Sequence, residues 1–94
     1  MGGIIRFTDL CSGHDCWPPR IGVTFSPNVF VNNLPVERLS DELEIHCCPD
    51  KGCHNGIYIG SHNVKVNNLD MQVQGDPISC GSTCTTSSTN TIVN

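Results

Sequence analysis

Residues 26–41 read SPNVFVNNLPVERLSD and residues 61–76 read SHNVKVNNLDMQVQGD. The two stretches are copies at an offset of 35 residues, with Ser26 over Ser61, Asn28-Val29 over Asn63-Val64, Val31-Asn32-Asn33-Leu34 over Val66-Asn67-Asn68-Leu69, and Asp41 over Asp76. Each copy predicts a β-hairpin. In the first, Val29 and Val31 alternate with outward positions, Asn32-Asn33 forms the turn, and Leu34 and Val36 return. Val64, Val66, Asn67-Asn68, Leu69 and Met71 repeat the pattern. Asn tolerates the positive φ that a two-residue type I′ turn requires. The same turn chemistry in the same frame twice argues against coincidence.

A third copy is present but divided. The segment Ser88-Thr89-Asn90-Thr91-Ile92-Val93-Asn94 matches the outgoing strand and stops at the turn. Gly2-Gly3-Ile4-Ile5-Arg6-Phe7-Thr8-Asp9 matches the return strand and runs to the same Asp, with Arg6 three residues before Asp9 as Arg38 is before Asp41. The expected fold is therefore mainly β, with three pseudo-repeated hairpins, one of them split between the two ends. That arrangement gives pseudo-threefold symmetry and pairs what would otherwise be edge strands. Residues 36–48, VERLSDELEIHCC, place Val36, Leu39 and Leu43 at helical spacing. The matching window, MQVQGDPISCGST, carries Gly75 and Pro77, which a helix does not tolerate. The repeat thus predicts strand then loop, with room for one helical turn after Asp41.

Composition agrees. There is no Ala, against eight Val, eight Ile, seven Thr, nine Gly, six Pro and nine Asn, a mixture rich in strand and turn formers. Ninety-four residues set a single domain, 1–94, with a thin core that calls for added cross-links. The net charge of −4 and five scattered basic residues provide no footprint for nucleic acid. No apolar run reaches membrane length, and the N-terminus meets Asp9 too early for a secretory signal. Synthesis in the cytoplasm is the expectation. Seven Cys with four His, an odd thiol count in a reducing compartment, read first as metal binding and second as disulfides.

The segments between hairpins carry nearly all of these residues: LCSGHDCWPPR after Asp9, ELEIHCCPDKGCHNG after Asp41 and PISCGSTC after Asp76. His14 and His46 lie five residues past their Asp, and Cys80 lies four past its own. Equivalent positions on three related arms converge on the pseudo-threefold axis, and His54 at the far end of the middle connector supplies a fourth donor. Three imidazoles and one thiolate make the closed shell of structural zinc. His62 occupies the slot held by Pro27 and reads as a loop residue. Cys47 and Cys48 are adjacent and cannot both point inward on an extended chain, so either could compete with His46. Cys11, Cys16, Cys53 and Cys84 read as buried small apolar residues, a second site or a disulfide, with Cys11/Cys16 and Cys80/Cys84 closely spaced. Asp9, Asp41 and Asp76 recur in every arm, which points to turn capping rather than catalysis. Trp17-Pro18-Pro19-Arg20 reads as a rigid loop or a binding wedge.

The two hairpin motifs, the CSGHDCWPPR segment and the ending CGSTCTTSSTNTIVN together resemble a PAAR-repeat protein across essentially the whole chain. The Pro-Ala-Ala-Arg that names the family stands here as Pro35-Val36-Glu37-Arg38, and the second copy is Asp70-Met71-Gln72-Val73. The family's usual Asn-Gly turn is Asn-Asn in both copies. The resemblance implies a small cone with a metal near its point, held by His14, His46, His54 and Cys80, one zinc per chain. It also implies a partner, the trimeric β-helical spike of a contractile phage tail or type VI secretion system, capped by one copy. The mature position would be the virion tail tip or the secretion spike tip, in transient contact with the target membrane. No catalytic residue is expected. Two other classes remain: a stand-alone zinc adaptor, and a small zinc hydrolase using His14, His46 and His54 with Glu44 or Asp50 as base.

Overall fold

The computed structural model describes residues 2–93, and among them every regular element is a strand. In chain order these are β1 (Gly2–Gly3), β2 (Phe30–Val31), β3 (Leu34–Pro35), β4 (Glu42–Cys48), β5 (Gly52–Ile57), β6 (Lys65–Val66), β7 (Leu69–Asp70) and β8 (Ile92–Val93). Among the described residues no helix is long and apolar enough to cross a membrane. The repeated hairpins form as the Asn pairs dictate. Asn32 and Asn33 have φ of 54° and 65°, Asn67 and Asn68 of 52° and 66°, and they join β2 to β3 and β6 to β7. The divided copy closes as well, with Gly2 opposite Val93 and Gly3 opposite Ile92.

The three return segments meet in a triangle. Ile4 bridges to Val73, Arg6 to Val36, and Arg38 to Met71, so each segment pairs at one end with one neighbour and at the other end with the second. Ile5, Glu37 and Gln72 are repeat-equivalent and fully buried at the centre. Ile5 N–H donates to Gln72 O and Glu37 N–H to Ile5 O, both at 3.0 Å. The apolar interior falls into two clusters. Ile4, Val36, Val66 and Met71 gather on the hairpins, with Val29 and Val31 packed against them. Ile5, Cys11, Leu43, Tyr58, Ile78 and Cys84 gather beneath the connectors, with Cys80 against them. The whole is elongated, 38 × 23 × 22 Å.

The recurrent aspartates cap turns. Backbone N–H groups of Arg6, Arg38 and Val73 donate to Oδ2 of Asp9, Asp41 and Asp76 at 2.8, 2.7 and 2.8 Å. The residue before each Asp is left-handed: Thr8 at 82°, Ser40 at 69° and Gly75 at 92°. Arg6 and Arg38 add side-chain ion pairs to their Asp at 2.9 Å each. Val73 replaces the Arg in the remaining copy, and His62 Nε2 approaches Asp76 Oδ2 at 2.7 Å instead. His62 is thus a loop residue with a definite partner.

Two expectations need correction. The middle connector is not a loop but the longest hairpin among the described residues, β4 against β5, with His46 facing His54 and Cys47 facing Cys53. An irregularity between Leu43 and His46 shifts the strand's phase. Leu43, His46 and Cys48 are consequently the buried positions, an interval that imitates helical spacing before alternation resumes. The cysteines, read first as metal ligands, include two disulfides, Cys16–Cys48 and Cys47–Cys53, with Cα separations of 5.4 and 4.1 Å. Cys11, Cys80 and Cys84 are free, so neither closely spaced pair is bonded.

Candidate metal centre

His14 is presented by a two-residue turn. It exchanges backbone hydrogen bonds with Trp17, at 3.0 and 2.8 Å, and Asp15 takes a φ of 48°. Gly13 is required beside it. Its φ is +70°, and a Cβ there would stand 2.5 Å from Trp17 O. His46 and His54 sit opposite one another on β4 and β5, so the hairpin sets both rings on one face. Cys80 rides a turn closed by Gly81 N–H to Ile78 O at 2.9 Å, with Gly81 at a φ of +106°.

These four residues come together. His14 Nε2 lies 3.0 Å and His46 Nε2 2.8 Å from His54 Nε2. One ligand atom from each of His14, His46, His54 and Cys80 fits within 4.8 Å of all the others, a group that can hold a metal ion. A tetrahedral shell with zinc–nitrogen near 2.0–2.1 Å and zinc–sulfur near 2.3 Å separates its donors by about 3.3–3.7 Å. The donor set suits such a shell, and its spacings, 2.8 and 3.0 Å for two pairs and no more than 4.8 Å for any, lie around that scale.

The surroundings keep the imidazoles competent. His46 Nδ1 is 2.9 Å from Pro18 O, which can only accept, so the proton resides on Nδ1 and the Nε2 lone pair faces the cluster. Burial holds His46 below its usual pKa, helped by the Arg20 charge and by His14. Burial, then His46, His14 and Arg20, lower His54 in the same way. Both rings are therefore neutral near pH 7. Trp17 stacks against the His14 ring at 4.8 Å and leans on His54 at 4.8 Å, while its Nε1–H donates to Gly52 O at 2.9 Å.

Arg20 is the residue that sequence reasoning passed over. It is 1% exposed, in keeping with the rigid-loop reading of Trp17-Pro18-Pro19-Arg20 and not with the wedge. One terminal nitrogen donates to Glu44 O at 2.7 Å and His54 O at 3.2 Å, and the other to Cys80 Sγ at 2.9 Å. Gly56 leaves the space: a Cβ there would lie 2.6 Å from the guanidinium and 3.4 Å from Cys80 Sγ. The signal was a lone Arg ending a Pro-Pro connector in a chain with only five basic residues. The cluster contains no carboxylate, and Glu44 and Asp50, the bases a hydrolase would need, are exposed.

The family described as PAAR motif matches residues 12–86, which takes in all four clustered side chains and both intact hairpins. No curated protein matches the chain.

Proposed function

The chain belongs to the PAAR-motif family, and from that premise we propose that it is the metal-stabilised tip of a contractile injection machine, one copy capping a trimeric β-helical spike. The observation that carries the reading is the triangle of return segments joined by three cyclic bridges. It lets one polypeptide present three matching arms to a threefold partner. At the hairpin end, Phe30 and Ile92 occupy equivalent positions and are each 54% exposed. Val64 adjoins their equivalent, Lys65, and is 41% exposed. These side chains are the apolar base that meets the spike. Leu34, on β3, is less exposed than these three.

The cluster is the structural metal centre in this reading, with His14, His46, His54 and Cys80 as ligands and zinc as the ion suited to a closed nitrogen–sulfur shell. When bound, the ion ties three connectors together and does no chemistry. A stiff point at one end and an apolar base at the other suit a part driven through a membrane, whether at a phage tail or a secretion spike. Elemental analysis should find one equivalent of zinc per chain, falling sharply in Cys80→Ala. Native mass spectrometry with the cognate spike should find one chain per trimer. Phe30→Asp should abolish docking and leave the zinc content intact. Three chains per trimer, or none, would return the protein to the class of zinc-binding adaptors.

A further inference from the structure

Every imidazole of the cluster has a disulfide-bonded cysteine one or two residues away. Cys16 follows His14 by two residues, Cys47 and Cys48 follow His46, and Cys53 precedes His54. The Cys16–Cys48 bond ties the turn that carries His14 to β4, and the Cys47–Cys53 bond ties β4 to β5. All three histidine-bearing backbones are thus joined covalently. Alternation along a strand places the Cys47–Cys53 pair on the face opposite the His46 and His54 rings. Burial agrees, since His46 and Cys48 are buried and Cys47 between them is exposed. The bond braces the ligands from behind and offers no sulfur to the ion. Cys80, the fourth ligand in the reading above, lies outside this framework and is positioned by Arg20.

We infer that Cys16, Cys47, Cys48 and Cys53 are positioning residues for the metal centre: the oxidised tip holds its three imidazoles in place with or without an ion, and the reduced tip depends on the ion for its order. The metal half of this inference rests on the ligand reading above, and the ordering half does not. Reduction is the natural lever. A water-soluble phosphine and one water convert each disulfide to two thiols, and the phosphine becomes its oxide.

Protein purified without reductant and then denatured should titrate three thiols per chain, the seven cysteines less the four in bonds. Seven thiols would overturn the inference at once. Zinc transfer to a chelator should be roughly tenfold or more faster from reduced than from oxidised protein, the scale on which supporting contacts act on bound metal. Equal rates would overturn it. Hydrogen exchange of the metal-free protein separates the two halves. If the chain binds no zinc at all, the ligand reading fails, yet the amides of β4 and β5 should still be protected when oxidised and exposed when reduced. Equal protection would sink the bracing role. The paired substitutions Cys16→Ser with Cys48→Ser avoid added reductant. They should speed zinc loss while leaving β4 and β5 protected, because only the His14 turn is released.

Discussion

Glu37 is the residue that conforms least to its surroundings. It is fully buried, neither carboxylate oxygen has a hydrogen-bond partner, and Gly22 leaves the room that its carboxyl fills. Burial first, then the Asp41 charge, push its pKa up to about 9. The folded state therefore keeps a proton that the unfolded chain releases. Its contribution to stability is complete below pH 4.5 and is lost as pH rises toward 9, at about 1.4 kcal/mol per pH unit. Gln72 shows what the site accepts, since this equivalent amide is satisfied by Gly60 N–H, Gly60 O and Asp70 O. Glu37→Gln should be close to neutral at pH 5 and stabilising by about 2–3 kcal/mol at pH 7, read by urea unfolding at several pH values. A gain that does not grow with pH would show the carboxyl to be ionised in the fold. At Gly56 any side chain meets Arg20, so Gly56→Ala should displace the guanidinium and weaken zinc retention. Neither the burial of Arg20 nor the strain on Glu37 was legible in sequence. Both depend on which connector folds over which, and a charged residue in a loop has no periodicity to betray it.

The hairpins were legible because their turns carry local chemistry, and their side chains now separate two roles. Asn32 Oδ1 accepts from Ser88 and Arg6, and its amide donates to Asn90. Asn67 serves Ser26, Arg38 and Asn28 in the same manner. Each turn is thus locked to the entry of another repeat. Asn33 is exposed and supplies only backbone conformation. Asn33→Gly should leave stability unchanged or raise it by a few tenths of a kcal/mol, since Asn-Gly suits a type I′ turn best. Asn32→Gly should lower it by about 1–3 kcal/mol, and thermal denaturation of the pair decides the matter. A similar loss in both would mean that the inter-repeat bonds carry no weight. The β4–β5 hairpin was missed for an opposite reason. It is private to one connector, so the repeat argued against it, and its phase shift disguised the alternation. Three of the ligand-type residues, His14, His46 and Cys80, were nonetheless legible because each keeps a near-constant distance from its capping Asp, and His54 because it closes the middle connector.

At the scale of the molecule, cross-links do what so small a core cannot. On the chain-entropy account, Cys16–Cys48 and Cys47–Cys53, 32 and 6 residues apart, contribute about 4 and about 2 kcal/mol. They and the His14, His46, His54 and Cys80 cluster all lie among the connectors. Acid should therefore act there first. His46 and His54 titrate below the ordinary His range in the fold, so their contribution is present above about pH 6.5 and is lost as pH falls through their folded values. Lowering pH from 7 to 5 should release the ion and change the fluorescence of Trp17, the one tryptophan, which stacks on the His14 ring and leans on the His54 ring. The hairpin end should keep its far-ultraviolet signature. Fluorescence that is flat across this range would remove the imidazoles from the centre. The closure of the ring bears on how the protein is made. β1 finds its partner only in β8, at opposite extremes of the described chain, and Ile4 waits for Val73. Few native contacts of the first strand can therefore form until residues 92–93 have left the ribosome, and the slow search for distant partners begins then. Until then the nascent chain trails unpaired strands and reactive thiols, and it is in this interval that folding is most open to aggregation and mispaired sulfur.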